Sequence, residues 1–128
     1  YLDATVAKAA EDGFAETMFG RKRHIPELKA RNAQQRGFGE RTAMNHPMQG
    51  SAADIIKIAM ERVQRALNER GLESRLIMQI HDELDLQVPD GELEEVRELV
   101  SRIMEGVADL SVPLVADASW GDNWAEAK

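Results

Sequence analysis

Two strand-like runs that cannot lie far apart constrain this chain more than any other feature. Leu76-Ile77-Met78-Gln79-Ile80 and Leu84-Asp85-Leu86-Gln87-Val88 are rich in aliphatic residues, the second alternates strictly, and only His81-Asp82-Glu83 separates them. So short a connection forces an antiparallel hairpin. The period of two then decides which side chains face a core. Three ionisable residues are thereby crowded into a tight turn between two strands expected to be buried.

The rest of the chain supplies elements to pack against that hairpin. Tyr1 to Glu11 reads as a helix ended by Asp12-Gly13, and nothing before Tyr1 caps it, so the chain is expected to begin inside a helix, as a fragment would. Phe14 to Met18 and Arg23 to Ile25 flank Phe19-Gly20-Arg21-Lys22 and predict a second, shorter hairpin stopped by Pro26. Glu27 to Arg41 is polar and basic, which suits a loop or a surface helix. Ser51-Ala52-Ala53-Asp54 has capping-box spacing, so a helix is expected to start there. Its apolar face is Ile56, Ala59, Met60, Val63, Ala66 and Leu67, and it runs until Gly71.

Asp90 or Gly91 is the expected cap of a further helix. Glu92, Glu94 and Glu95 stand in its first turn, and Leu93, Val96, Leu99, Val100, Ile103, Met104 and Val107 point inward. Leu114 to Ser119 reads as a last strand, with Trp120 and Trp124 covering the end of the sheet. The fold class is α+β, an antiparallel sheet packed against long amphipathic helices. A chain of 128 residues, 43% hydrophobic, suits one core.

Charge narrows the function. The net charge of −7 argues against a polyanionic partner, but the average hides a split. Residues 1 to 75 carry 13 Lys and Arg against 10 Asp and Glu, whereas residues 76 to 128 carry 3 against 13. Between Gly20 and Arg41 stand Arg21, Lys22, Arg23, Lys29, Arg31, Arg36 and Arg41, opposed only by Glu27 and Glu40. A local basic surface suited to phosphates survives the acidic total, although solvated surface charge is the plainer account of such a run. The absence of cysteine excludes disulfides and thiolate zinc sites and fits a reducing cytoplasm. No apolar run is long enough to span a membrane.

Asp82 and Glu83 are the residues with the clearest chemistry. Carboxylates at the tip of a rigid hairpin present hard oxygen ligands to a cation such as Mg2+, which keeps several waters and needs only one or two protein carboxylates beside substrate phosphates. Asp also favours turns for its own hydrogen bonding, and a lone His such as His81 is more often a packing residue than a functional one. Asn45 and Gln49, four apart, share a face if helical, although Pro47 between them suggests a helix start. A cap residue and a surface amide is the plainer account of that pair.

Gln79-Ile80-His81-Asp82-Glu83-Leu84 closely resembles the C motif of family A DNA polymerases. Upstream, Arg41, Asn45, Pro47, Gln49-Gly50 and Ala52-Ala53-Asp54 stand in the order of the same family's second signature. The Gly20-Arg21-Lys22-Arg23 turn, Val112-Pro113-Leu114 and Gly121-Asp122-Asn123-Trp124 extend the likeness from end to end.

The resemblance implies that residues 1–36 are the C-terminal end of a fingers subdomain and residues 37–128 the major part of a palm. It implies that Asp82 binds catalytic Mg2+ with Glu83 in a supporting role. It also sets Arg41, Asn45, Gln49 and His81 against the primer terminus, its minor groove or the template. Every base pair shows acceptors in the minor groove, so such donors can check pair geometry without reading sequence. The implied partners are primer-template DNA, deoxynucleoside triphosphates and the remainder of the polymerase chain. No membrane is among them.

Asp85 stands where the family usually has an apolar residue, and His46 where it has a small or apolar one. The family's other metal-binding Asp and its nucleotide-binding fingers helix would both precede Tyr1, so the chain by itself is expected not to extend primers. Two other classes compete. One is a non-catalytic nucleic-acid-binding or assembly module on the same fold. The other is a metal phosphohydrolase using His24, His46, His81 and Asp82, which lack the usual ligand spacing.

Overall fold

The computed structural model describes residues 1–128 and divides into two compact units, Tyr1–Asp54 and Ile55–Lys128. Each has its own hydrophobic core.

In the first unit, α1 (Leu2–Asp12) ends at Gly13 and leads into an antiparallel hairpin of β1 (Phe14–Glu16) and β2 (Lys22–His24). Phe14 is registered with His24, Ala15 with Arg23 and Glu16 with Lys22. A 3-10 turn, Pro26–Lys29, follows. Ala9, Ala15, Ile25, Leu28 and Ala43 form the core, with Val6 and Ala10 against it.

The helix expected from Ser51 instead begins at Ala33: α2 spans Ala33–Glu69 without a break, 37 residues that pass through Pro47 and continue into the second unit. The polar segment before it is therefore partly helix, and Ser51 caps nothing. Its hydroxyl donates to the Pro47 carbonyl and accepts the Met18 N–H at 2.9 Å. Close packing explains why the glycines on this stretch are not breaks. A Cβ on Gly39 would lie 2.8 Å from the Leu28 backbone nitrogen, and one on Gly50 2.8 Å from Thr17 Cγ2 and 2.9 Å from His46 Cε1. The helix gives up propensity there to let the Glu27–Leu28 backbone approach at Gly39 and the Thr17 and His46 side chains at Gly50.

In the second unit, β3 (Arg75–Ile80) and β4 (Glu83–Gln87) form the expected hairpin, and α3 (Leu93–Glu105) follows a 3-10 turn at Asp90–Glu92. Val63, Leu67, Val96 and Leu99 are its buried centre. Leu84, Leu86 and Val88 pack against them from one side of the hairpin, joined by Val100 and Ile103. The apolar faces read for the C-terminal part of α2 and for α3 are those observed.

Three expectations fail in this unit. The β3 strand is not buried, since Ile77 is 62% exposed: a two-stranded sheet has one covered face and the other stays bare. Neither Asp90 nor Gly91 caps α3. Glu92 holds that position, and its carboxylate binds the Glu73 and Ser74 backbone rather than the helix. Residues 114–119 form no strand, because a strand needs a ladder partner and β3–β4 does not take them up. The Ala116 N–H is satisfied instead by Glu105 Oε1 at 3.1 Å. The chain closes with a single turn, α4 (Trp124–Ala127), capped by Asn123.

Candidate nucleic-acid groove and metal-binding hairpin

In the first unit, Arg41, Asn45 and Gln49 follow one another at four-residue steps on α2, so they share one face, and all three are exposed. They border a groove of about 620 Å³ whose opposite side is Arg21, Lys22 and Arg23 of the β1–β2 hairpin. The hairpin is fastened to the helix by a buried knot. Asp54, 8% exposed, accepts Thr17 Oγ1 at 2.6 Å and Arg21 Nε at 2.7 Å, and the Arg21 guanidinium also reaches the Gly50 carbonyl at 3.2 Å. Thr17 Oγ1 in turn accepts the Phe19 and Arg21 N–H groups, which holds the turn closed.

The cations of the groove thus divide by task. Arg21 is engaged in structure. Lys22 stands 4.6 Å from the Phe14 ring centre, and neither Arg23 nor Arg41 is in an ion pair. Unpaired guanidinium groups on facing walls suit phosphate. His46 also borders the groove but is 7% exposed, with no hydrogen-bond partner on Nε2.

In the second unit, Ile80 pairs with Glu83, so the turn proper is His81-Asp82 and Glu83 is the first residue of β4, not part of the turn. Two-residue hairpins require left-handed backbone at their first position to match strand twist. His81 adopts it, with φ of 52°. Its carbonyl accepts Gln79 Nε2 at 2.5 Å. The pairing shifts between Leu76 and Met78, which brings Asp85 opposite Met78. Irregularities of this kind re-aim side chains near functional sites.

His81 and Asp82 are exposed, and Glu83 is half-buried, accepting the Trp124 indole N–H on Oε1 at 3.3 Å. Asp85 is half-buried and its Oδ2 has no partner. Burial lifts its carboxyl above the usual aspartate range, the Glu83 carboxyl adds to the rise, and Lys128 opposes it.

The carboxylates of Asp82 and Glu83 are hard oxygen donors, which fit a Mg2+ that also takes phosphate and water ligands. Nowhere does the chain gather three or more His, Asp or Glu into a metal cluster, so the fit is to part of a site rather than to a closed cage, and the four residues of the phosphohydrolase reading form no such cluster.

Sequence reasoning did not foresee Thr17 and Asp54 as the knot behind the groove, nor Trp124 as a partner of Glu83. Both link residues more than thirty positions apart, and no local pattern carries that information.

Residues 1–126 match the family model described as DNA polymerase family A. The chain is 51% identical over 128 residues to DNA polymerase I of Lactococcus lactis subsp. cremoris (strain MG1363), covering all of this chain and 15% of that protein. It is 50% identical over 127 residues to DNA polymerase I of Pseudomonas aeruginosa, covering 99% of this chain and 14% of that one. It spans about 15% of the length of such relatives. Among solved structures, the POL domain of Pol1 from M. smegmatis, in complex with DNA primer-template and dNTP, superposes with a TM-score of 0.96 at 45% identity, over 99% of this chain and 22% of that one. With a family match over residues 1–126 of its 128, the chain belongs to the family A DNA polymerases.

Proposed function

We propose that this chain furnishes the C-terminal palm portion of a template-directed DNA polymerase, with residues 1–36 ending the fingers and residues 37–128 making up most of the palm. The observation that carries the reading is Asp82, an exposed carboxylate at the tip of the β3–β4 hairpin, in a chain that matches the family over residues 1–126.

In this reading Asp82 holds Mg2+, with Glu83 beside it in support. Bound there, the ion would supply activation of the primer 3′-hydroxyl and stabilisation of the leaving pyrophosphate. The protein's own groups position the reactants. Arg23 and Arg41 neutralise backbone phosphates. Asn45 and Gln49 donate to minor-groove acceptors, which every correct base pair offers at similar positions. His81 stands next to Asp82 and orients the primer end. The partners are primer-template DNA, deoxynucleoside triphosphates and the rest of the polymerase chain, in a reducing cytoplasm.

The test is single-nucleotide extension of a primed template by the intact polymerase carrying Asp82→Ala, together with this 128-residue chain alone. Loss of extension in the variant and none from the chain alone are expected. Retained extension in Asp82→Ala would sink the catalytic reading and leave a non-catalytic nucleic-acid-binding module.

A further inference from the structure

The C-terminal turn reaches the catalytic hairpin through one hydrogen bond, and the surrounding segment is built to aim it. Asn123 Oδ1 accepts the Glu126 N–H at 3.1 Å, and Glu126 Oε2 accepts the Asp122 N–H at 3.2 Å. Ser119 Oγ donates to the Ala127 carbonyl. Gly121 lies so close to this turn that a Cβ there would fall 2.6 Å from Glu126 Cβ. These interactions fix α4 on the segment before it. Lys128 Nζ caps one face of the Trp124 ring, 4.1 Å from its centre. What remains is the indole N–H, a donor with no acceptor capacity, and it points at Glu83 Oε1 at 3.3 Å.

Glu83 needs such a constraint. It is a long side chain at the start of β4, next to the exposed Asp82 and on the same face as Asp85 two residues on. A glutamate there has many rotamers, and the Asp85 carboxyl competes for its oxygens. A neutral donor on one oxygen restricts that freedom, and the indole itself carries no charge to compete with a cation.

We infer that Trp124 is a positioning residue for Glu83, fixing one carboxylate oxygen so that the other is presented beside Asp82. The inference rests on the polymerase reading of this hairpin. It assigns a role to the indole N–H rather than to the bulk of the ring.

The test uses the intact polymerase with Trp124→Phe, which keeps a ring and deletes the donor, in Glu83 and Glu83→Ala backgrounds. In protein labelled with 5-fluorotryptophan, the Trp124 fluorine signal, identified by its loss in Trp124→Phe, is expected to shift on Glu83→Ala. In single-turnover extension, Trp124→Phe is expected to raise the Mg2+ concentration for half-maximal rate by about three- to tenfold, the scale of one ordinary solvent-exposed hydrogen bond. DNA affinity should not change, and Trp124→Phe should have no further effect once Glu83 is Ala.

A fluorine signal indifferent to Glu83→Ala overturns the inference. So does an equal loss in both backgrounds, which is the mark of a merely structural or misfolding effect. If Asp82→Ala still extends primers, the polymerase reading of the hairpin falls first and this role with it. If Asp82→Ala is inactive and Trp124→Phe is silent, only the positioning role is lost.

Discussion

Ser74 and Glu92 are joined twice: the Ser74 N–H and its hydroxyl both donate to Glu92 Oε2, at 2.9 and 2.5 Å, while the Glu73 N–H donates to Oε1 at 2.8 Å. One carboxylate thus ties the loop after α2 to the start of α3.

The Ser74 hydroxyl first, then the Glu73 N–H, hold the Glu92 carboxyl below its ordinary value of 4.5. Because the folded value is the lower one, the stabilisation is complete above the ordinary value and disappears as pH falls through the lowered one. Glu92→Gln should therefore destabilise the second unit at neutral pH and flatten the acid limb of its stability curve. Thermal melts from about pH 3 to about pH 7 would check this, and parallel curves for both proteins would contradict it.

Gly39 and Gly50 both sit where a methyl group collides, but with different neighbours. The Gly39 methyl would meet the backbone of Glu27 and Leu28, which cannot yield, whereas the Gly50 methyl meets the side chains of Thr17 and His46. Gly39→Ala should cost about 1–3 kcal/mol and Gly50→Ala less. His46→Ala should recover part of the Gly50→Ala loss in a denaturation double-mutant cycle.

Asp54 gathers Thr17 and Arg21 at the back of the groove. Asp54→Ala should cost about 1.5–3 kcal/mol, and hydrogen exchange should speed up at the Phe19 and Arg21 amides, whose acceptor Thr17 Oγ1 would no longer be held. Protection unchanged at those two amides would show that the turn closes without the knot.

Binding of primer-template DNA to the intact polymerase should depend on salt through Arg23 and Arg41. Replacing either with Ala should lower the slope of log K against log salt by about 0.9 for each phosphate that is no longer neutralised. Asn45→Ala, which removes a neutral donor, should weaken binding with the slope unchanged. Filter binding across a salt series separates the two.

Much of this structure is legible in the amino-acid order, and what is not has identifiable causes. The two hairpins, α1, α3 and the apolar stripe of Val63 and Leu67 follow from local period and turn chemistry, and all are found. Residues 33–50 mislead a local reading because Pro47 and three glycines weaken helix propensity. The helix persists because tertiary packing against Thr17, Glu27 and Leu28 rewards the missing side chains. At the site, Arg41, Asn45 and Gln49 fall on one helix face and His81, Asp82 and Glu83 on one hairpin, as their spacing allows. Asp54 with Thr17 and Arg21, and Trp124 with Glu83, are meetings of distant segments that only the folded chain brings about.

The left-handed backbone at His81 has a consequence for anyone randomising this position. Glycine and asparagine relax that conformation at lower cost than histidine does. A library selected only for soluble expression should therefore drift towards them. A library selected for copying DNA should return histidine against that drift. The two enrichment profiles, divided one by the other, would isolate what the imidazole contributes from what the turn merely tolerates.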